Sequence, residues 1–367
     1  MKVKTSCETV ILVLTNAILV IVWKQNLCNF ATITNLHIAM IKKALTTLTL
    51  GLSMAAMSCT AQTAATSEPA KVYFTSEITP ESLLAVFKAL GVKPEGKVAV
   101  KISTGESSKT HHLSPQLIEK LVKEVDGTLV ECNTAYNGNR RHTADHLKAI
   151  AERGYDKIAA VDIMDADGDM LLPMQDSTYF ADNLVGKHLA NYDFMINLAH
   201  FKGHQMGGFG GVLKNQSIGV ASADGKALIH SAGLTSKPEE AFTKPRNGQD
   251  GFLESMAGAA QSVDTYFKGK KGIVYIDVMN NMSVDCDCNG NPATPVLKDM
   301  GILASLDPVA LDPVALDLVF NHKPGEGDDN QPLIERINTR HGTHTVDYAE
   351  KLGLGTKKYV IIDIDKK

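Results

Sequence analysis

The stretch Phe194-Met-Ile-Asn-Leu-Ala-His-Phe-Lys-Gly-His-Gln-Met-Gly-Gly-Phe-Gly-Gly-Val-Leu-Lys-Asn215 decides how this chain is read. Its first six residues form an apolar run of the length of a buried strand, and a glycine-rich, cationic segment follows at once. Open α/β sheets hold ligands where a strand empties into such a loop. Gly207, Gly208, Gly210 and Gly211 let backbone N–H groups approach an anion closely or take positive φ. Lys202 and Lys214 add positive charge, Asn215 an amide, and His200 and His204 add groups able to bind a metal or move protons near neutral pH. The same letters also suit a plain turn with solvated lysines; the density of ligand-type residues favours a site.

Working outward, apolar strands alternate with amphipathic helices. Strands are expected at Val72–Thr75, Lys97–Ile102, Thr128–Cys132, Lys157–Met164, Ile273–Val278 and Tyr359–Ile364. Helices are expected at Pro80–Leu90 with Gly91 behind it, at Pro115–Val125 capped by Ser114, and at Thr143–Arg153 ending on Gly154. Further helices are expected at Asn183–Tyr192, Gly251–Phe267, Gln331–Arg340 and Val346–Leu352. The segment Asp307-Pro-Val-Ala-Leu-Asp-Pro-Val-Ala-Leu-Asp317 duplicates five residues, and each Asp-Pro suits an N-cap and first helical position. Pro238 to Gly251 reads as an irregular connection. This alternation predicts an α/β fold, a mostly parallel sheet with helices on both faces. Residues 71–367 would form that unit, with 71–200 and 201–367 as candidate lobes.

With 367 residues and a net charge of −4, the chain has room for one large domain or two small ones and no basic run suited to nucleic acid. The aromatic content of 6% includes no aromatic–basic interleaving of the kind that stacks bases. Two leader-like segments stand in series. Val10 to Trp23 is apolar but too short to span a bilayer comfortably. The second starts at Met40: Ile41-Lys42-Lys43 is a positive n-region, Ala44 to Met57 an apolar stretch, and Ala56-Met-Ser-Cys59 resembles a lipobox. Residues 40–58 therefore read as an export signal of lipoprotein type, 1–39 as an extension upstream of the true start, and 59–70 as a flexible tether. Diacylation of Cys59 would make the protein a periplasmic lipoprotein of the cell envelope, touching membrane only through its lipid. Cleavage after Ala61, or a signal anchor retaining 1–39, are the competing readings.

Of six cysteines, Cys132, Cys286 and Cys288 fall in the folded part. Asp285-Cys-Asp-Cys288 lies in a polar turn, where two thiolates can share one soft metal if further ligands come from His200, His204 or His230. A turn with two ordinary thiols is the alternative. A standard iron–sulfur cluster needs about four cysteines, more than the folded part has. The loop Ser103 to His112, with Glu106 and Lys109, follows a strand and shares the glycine loop's rim in a parallel sheet; it suits ligand contact or a solvated turn equally. The aspartates at 162, 165, 167 and 169 lack an EF-hand's final glutamate.

His200-Phe-Lys-Gly-His-x-x-Gly-Gly-Phe-Gly-Gly-x-Leu-Lys-Asn215, Asp285-Cys-Asp-Cys288 and Gly301-Ile-Leu-Ala-Ser-x-Asp-Pro-Val-Ala310 together resemble the bacterial family labelled domain of unknown function 362. The resemblance covers Val72 to Phe320. Many of its members are described as iron–sulfur-centre proteins and insert a ferredoxin-like module before the Asp-Cys-Asp-Cys turn. This chain has only a cysteine-free connection around Thr243 to Gly251. A weaker similarity is to the nickel-pincer lactate racemases, in which His204, Lys214 and His230 match a histidine, a lysine and a histidine in order. That similarity implies Lys214 as cofactor anchor, His230 as metal ligand and His204 as acid/base, with His142 not clearly matching the second acid/base histidine. The expectation is an exported protein that binds a small anion, a transition metal (zinc, iron or nickel), or both at residues 200–215. Its catalytic candidates are His204 and Lys214, and its metal candidates Cys286, Cys288, His200 and His230. A metal-dependent racemase or epimerase acting on a small carboxylate is the first alternative. An iron–sulfur protein is the second.

Overall fold

A computed structural model describes residues 68–243 and 247–366. The leader, Cys59 and most of the tether lie outside the described residues. The described part forms one compact unit, and no helix in it is long and apolar enough to cross a membrane. Its strands are β1 Ala70–Thr75, β2 Val98–Lys101, β3 Gly127–Glu131, β4 Val161–Ile163, β5 Asp169–Pro173, β6 Asp182–Gly186, β7 Phe194–His200, β8 Lys202–His204, β9 Gly208–Gly210, β10 Gly272–Met279, β11 Gly301–Ser305 and β12 Tyr359–Asp363. Its helices are α1 Pro80–Ala89, α2 Pro115–Glu124, α3 Thr143–Glu152, α4 Val212–Ser217, α5 Ala223–His230, α6 Pro238–Ala241, α7 Gly248–Lys268, α8 Pro308–Asn321, α9 Gln331–Thr339 and α10 His344–Lys351.

Eight strands form one sheet in the order β12-β1-β11-β10-β7-β2-β3-β4. All neighbours pair in parallel except β11, which runs antiparallel to both β1 and β10. Strands from 71–200 and from 201–367 thus share a single sheet. The period-2 alternation of a strand sends successive side chains to opposite faces. In β7, Phe194, Ile196 and Leu198 pack with Leu83 and Phe87 of α1 and Leu117 and Leu121 of α2. Met195 and Ala199 point the other way, into the layer of Ala257 and Ala260 of α7 and Val309 and Val314 of α8. Both faces are covered, which is why β7 and β10 read as nearly unbroken apolar runs.

The caps follow the sequence. Thr79 and Ser82 make a reciprocal capping box at α1, and Ser114 accepts from Leu117 N ahead of Pro115. The duplicated Asp-Pro pairs part ways. Asp307 caps α8, accepting from Val309 N and Ala310 N, but α8 runs through Pro313 without restarting. Asp312 turns inward instead and accepts from Val212 N at 2.9 Å and Leu213 N at 3.2 Å, capping α4. The expected helix over Asn183–Tyr192 is instead strand β6 followed by a short 3-10 turn. Asn183 there is fully buried and donates to Ser262 Oγ, a tertiary bond that a helix-period reading cannot include. The irregular stretch 238–251 contains α6 and the first turn of α7.

Candidate functional site

The carboxyl ends of the parallel strands β2, β3, β7 and β10 lead into the loops that build one rim, as an open α/β sheet requires. Between them lies a cavity of about 90 Å³. Lys101 ends β2. Glu131 ends β3, and Arg140 sits in the loop after it. His200 ends β7. Lys214 and Asn215 come from α4, Lys226 and His230 from α5, and Cys286 and Cys288 from the loop after β10. All of these side chains line the cavity.

Two charged groups here are fully paired. Arg140 is clamped between Glu106 and Glu131, at 3.1 Å from each. Glu131 also meets His146 Nε2 at 3.0 Å and accepts from Thr104 Oγ1, while Glu106 accepts from Tyr136 Oη and Asn139 N. Burial works to raise the Glu131 pKa, but His146 and Arg140 outweigh it and hold the carboxyl far below its usual range. In the second group Asp287 takes His200 Nδ1 at 2.8 Å and Lys202 Nζ at 2.9 Å. The same contest leaves Asp287 ionised: burial opposes the charge, and His200 with Lys202 prevail.

The three remaining lysines are different. Lys101 is buried, and its ammonium donates to Ile102 O at 2.5 Å and to Asn215 Oδ1 at 3.2 Å. Lys226, also buried, donates to Ala221 O at 2.5 Å. Lys214 Nζ lies 3.9 Å from Cys286 Sγ. Among the described residues none of the three has a carboxylate within 4.0 Å, whereas buried Arg140 and Lys202 each do. Burial lowers the pKa of Lys101 and of Lys214 to about 8, and that of Lys226 in the same direction.

The histidines are set in different tautomers. His204 Nδ1 accepts from Gly207 N at 2.8 Å and Met206 N at 3.2 Å, so its neutral ring carries the proton on Nε2. Burial first, then Lys214 and His230, push its pKa well below the usual histidine value. His230 Nδ1 donates to Lys226 O at 2.6 Å, which makes Nε2 the acceptor. Its ring stacks on Phe252, with centroids 5.2 Å apart.

The expected site residues therefore separate. His204, Lys214, His230, Gly210, Gly211, Asn215, Cys286 and Cys288 meet at one cavity. His200 reaches it too, but its nitrogens face Asp287 Oδ2 and Asn280 O at 2.8 and 2.7 Å, which leaves neither a lone pair for a metal. Glu106 and Lys202 are consumed by Arg140 and Asp287 and do not line the cavity. Gly207 and Gly208 pack away from it. Gly208 takes φ +83°, and a Cβ there would meet Gly342 Cα at 2.9 Å. Gly211 serves the cap rather than a ligand, since its Cβ would lie 2.3 Å from Asp312 Oδ1. Exposed His142 begins α3 away from the cavity. The sequence reading misses Lys101, Lys226 and Arg140. Only Lys101 carries a signal, a charge inside the apolar run Val98-Ala-Val-Lys-Ile102.

Cys286 and Cys288 are joined as a disulfide. Ligand atoms of His204, Cys286 and Cys288 all lie within 4.8 Å of one another, so the group converges well enough to hold a metal ion once the sulfurs are reduced. His204 would then have to give up its Nε2 proton or its backbone donors.

A family model described as domain of unknown function (DUF362) matches residues 98–317. No curated protein matches the chain. Among solved structures, a lactate racemase apoprotein from Thermoanaerobacterium thermosaccharolyticum is similar at 12% identity and a TM-score of 0.39, over 69% of this chain and 59% of that one. A structural-genomics protein from Thermotoga maritima is similar at 12% identity and a TM-score of 0.35, over 59% of this chain and 53% of that one. The chain thus spans less than two thirds of either neighbour.

Proposed function

This chain belongs to the family described as domain of unknown function 362, and we propose that it binds a small anion of the carboxylate or phosphate class in the cavity lined by Lys101, Lys214 and Lys226. One observation carries this reading: two buried ammonium groups, Lys101 and Lys226, and the half-buried Lys214 line one small space, and among the described residues none of the three has a carboxylate within 4.0 Å. Counting lining residues, four cations (Lys101, Arg140, Lys214, Lys226) face two carboxylates (Glu131, Asp287), and both carboxylates already have partners. Burial disfavours the charged form and lowers the pKa, as it does at Lys101 and Lys214; a bound anion stabilises the protonated form. His204, an Nε2–H donor, adds a hydrogen bond of the right polarity. A bare divalent cation is disfavoured beside three ammonium groups until the sulfurs become thiolates. In that reduced state Cys286 and Cys288 are the residues to hold zinc, iron or nickel, with His204 the histidine that has a ring nitrogen within 4.8 Å of both sulfurs.

Titration calorimetry of the mature protein with inorganic phosphate and with small mono- and dicarboxylates tests the reading. Lys101→Met and Lys226→Met are each expected to weaken binding at least about tenfold, as loss of a charge-assisted hydrogen bond does. Lys120→Met, on the surface, should bind like wild type. Equal affinity in all variants, or no binding by wild type, sinks the proposal.

A second reading is acid/base chemistry on a bound 2-hydroxycarboxylate, favoured by His204 and Lys214 lining the same cavity with burial-lowered pKa values. Lys214 at about 8 is close enough to neutrality to exchange a proton, and the neutral His204 ring can take the opposite role. Deuterium entering the ligand's Cα in D2O, and lost in Lys214→Met, supports it; no exchange with ligand bound leaves simple capture. The leader sequence extends the proposal to the cell envelope, with Cys59 as lipidated first residue. Intact mass of the native protein separates that from cleavage after Ala61 and from a retained anchor.

A further inference from the structure

We propose that Cys286 and Cys288 form a thiol–disulfide exchange centre on the cavity wall, with Cys288 the sulfur attacked and Cys286 the leaving group. The two sulfurs are bonded across a single intervening residue, with Cα atoms 5.3 Å apart. Asp287, between them, is fixed independently of that bond. Its carboxylate is clamped by His200 and Lys202, and its carbonyl accepts from Glu106 N at 2.8 Å. The turn therefore keeps its form when the bond opens, which brings the thiols back within reach of each other.

The sulfurs differ in access and in surroundings. Cys286 is buried while Cys288 is half-buried. Cys286 Sγ accepts from Cys288 N at 3.3 Å and has Lys214 Nζ at 3.9 Å. A backbone donor and an ammonium group both stabilise a thiolate, and a stabilised thiolate leaves faster. Attack on Cys288 uses that advantage; attack on Cys286 does not. The third cavity thiol, Cys132, donates to Val220 O at 3.2 Å, and burial raises its pKa, so it stays an inert thiol beside the pair.

The step balances with an external small thiol as reductant. Its thiolate attacks Cys288 Sγ and forms a mixed disulfide. The Cys286–Cys288 bond breaks, and its electron pair leaves on Cys286 as a thiolate beside Lys214. A second external thiolate attacks the outer sulfur of the mixed disulfide, and Cys288 leaves and takes up a proton. Two external thiols become one disulfide and the protein gains two electrons; of the two protons the external thiols release, one is taken up by Cys288 and the other goes to solvent while Cys286 remains a thiolate. The inference is independent of the anion reading, because exchange is followed by thiol release and anion binding by calorimetry.

The experiment uses mature protein purified without reductant. Iodoacetamide should leave Cys286 and Cys288 unmodified before reduction and alkylate both afterwards, as read by peptide mass. With 2-mercaptoethanol as the thiol, Lys214→Met should be reduced about tenfold more slowly than wild type, and Lys214→Arg should recover most of the rate. When reduction by 2-mercaptoethanol is quenched early with acid, peptide mass should find the mixed disulfide on Cys288 and not on Cys286. That position needs no Lys214 variant. Free thiols at the pair before reduction, equal reduction rates with and without Lys214, or a mixed disulfide found on Cys286 each overturn the proposal.

Discussion

Arg140 and Lys101 are neighbours on one cavity wall and are both buried, yet their charges are treated in opposite ways. Arg140 meets two carboxylates at 3.1 Å, each held by further donors. Lys101 meets one carbonyl and one amide oxygen. A saturated ion network is architecture: it fixes the loop after β3 against the loop after β2. A buried cation with no carboxylate within 4.0 Å adds nothing to such a frame and is costly alone; under the proposed anion reading, a ligand that arrives later is what its place in the fold serves.

The largest effect should come from breaking the saturated side. Arg140→Met leaves Glu106 and Glu131 buried without their shared partner, and removing one member of a buried pair costs about 3–5 kcal/mol. Lys101→Met replaces an uncompensated charge by an apolar side chain of similar reach and should leave stability equal or higher. Urea unfolding of the two variants, followed by far-UV dichroism, checks the contrast. Comparable losses in both would mean that Lys101 is part of the frame after all.

A middle-sized effect sharpens the unsaturated side through pH. With Lys101 and Lys214 at about 8, anion affinity should fall as pH climbs through about 8, by up to about tenfold per unit for each lysine that must be charged. Stability of the empty protein should move the other way. Unfolded lysines keep their protons up to the ordinary value near 10.5, while the folded ones release theirs from about 8. Between those values the unfolded chain binds more protons, so stability rises with pH. Calorimetry and thermal melts over pH 7 to 10 read both slopes. Slopes of the same sign would show that these lysines do not carry the charge that binding needs.

What the sequence discloses follows the same line. Strand runs, caps and the glycine loop are local patterns, and β7, α1 and α2 follow from them, whereas the grouping of His204, Lys214 and His230, which do line one cavity, comes only from the family resemblance. Pairing is not local. His200 looks like a metal ligand until Asp287, 87 residues away, takes one nitrogen, and Glu106 looks like a ligand contact until Arg140, 34 residues on, takes its carboxylate. Lys226 lies in a helix the sequence reading does not assign, and its burial depends on the return of α5 beneath the rim. The glycine run was legible as special but not as to purpose. Gly211 makes room for Asp312, a residue a hundred positions later.

That aspartate carries the smallest effect. Asp277 on β10 is fully buried and faces Asp312 of α8. Burial, followed by its neighbour, raises Asp277 well above the carboxylate range, and burial raises Asp312 to about 6 even though Val212 N and Leu213 N favour its charged form. The pair thus holds a proton near neutrality, with Asp312 the member that takes the charge and caps α4. Carboxyls raised in the folded state contribute stability that is complete below about 4 and is lost as pH rises through about 6 and beyond. Asp277→Asn supplies a permanent N–H donor to Asp312 and removes the second titrating group. Its melting temperature should match wild type near pH 5 and exceed it by a few degrees at pH 8, on the order of 1 kcal/mol. Anion binding should be unchanged, because the cap that positions Lys214 and Asn215 is kept. A variant destabilised equally at both pH values would mean that the shared proton is not what holds the two aspartates together.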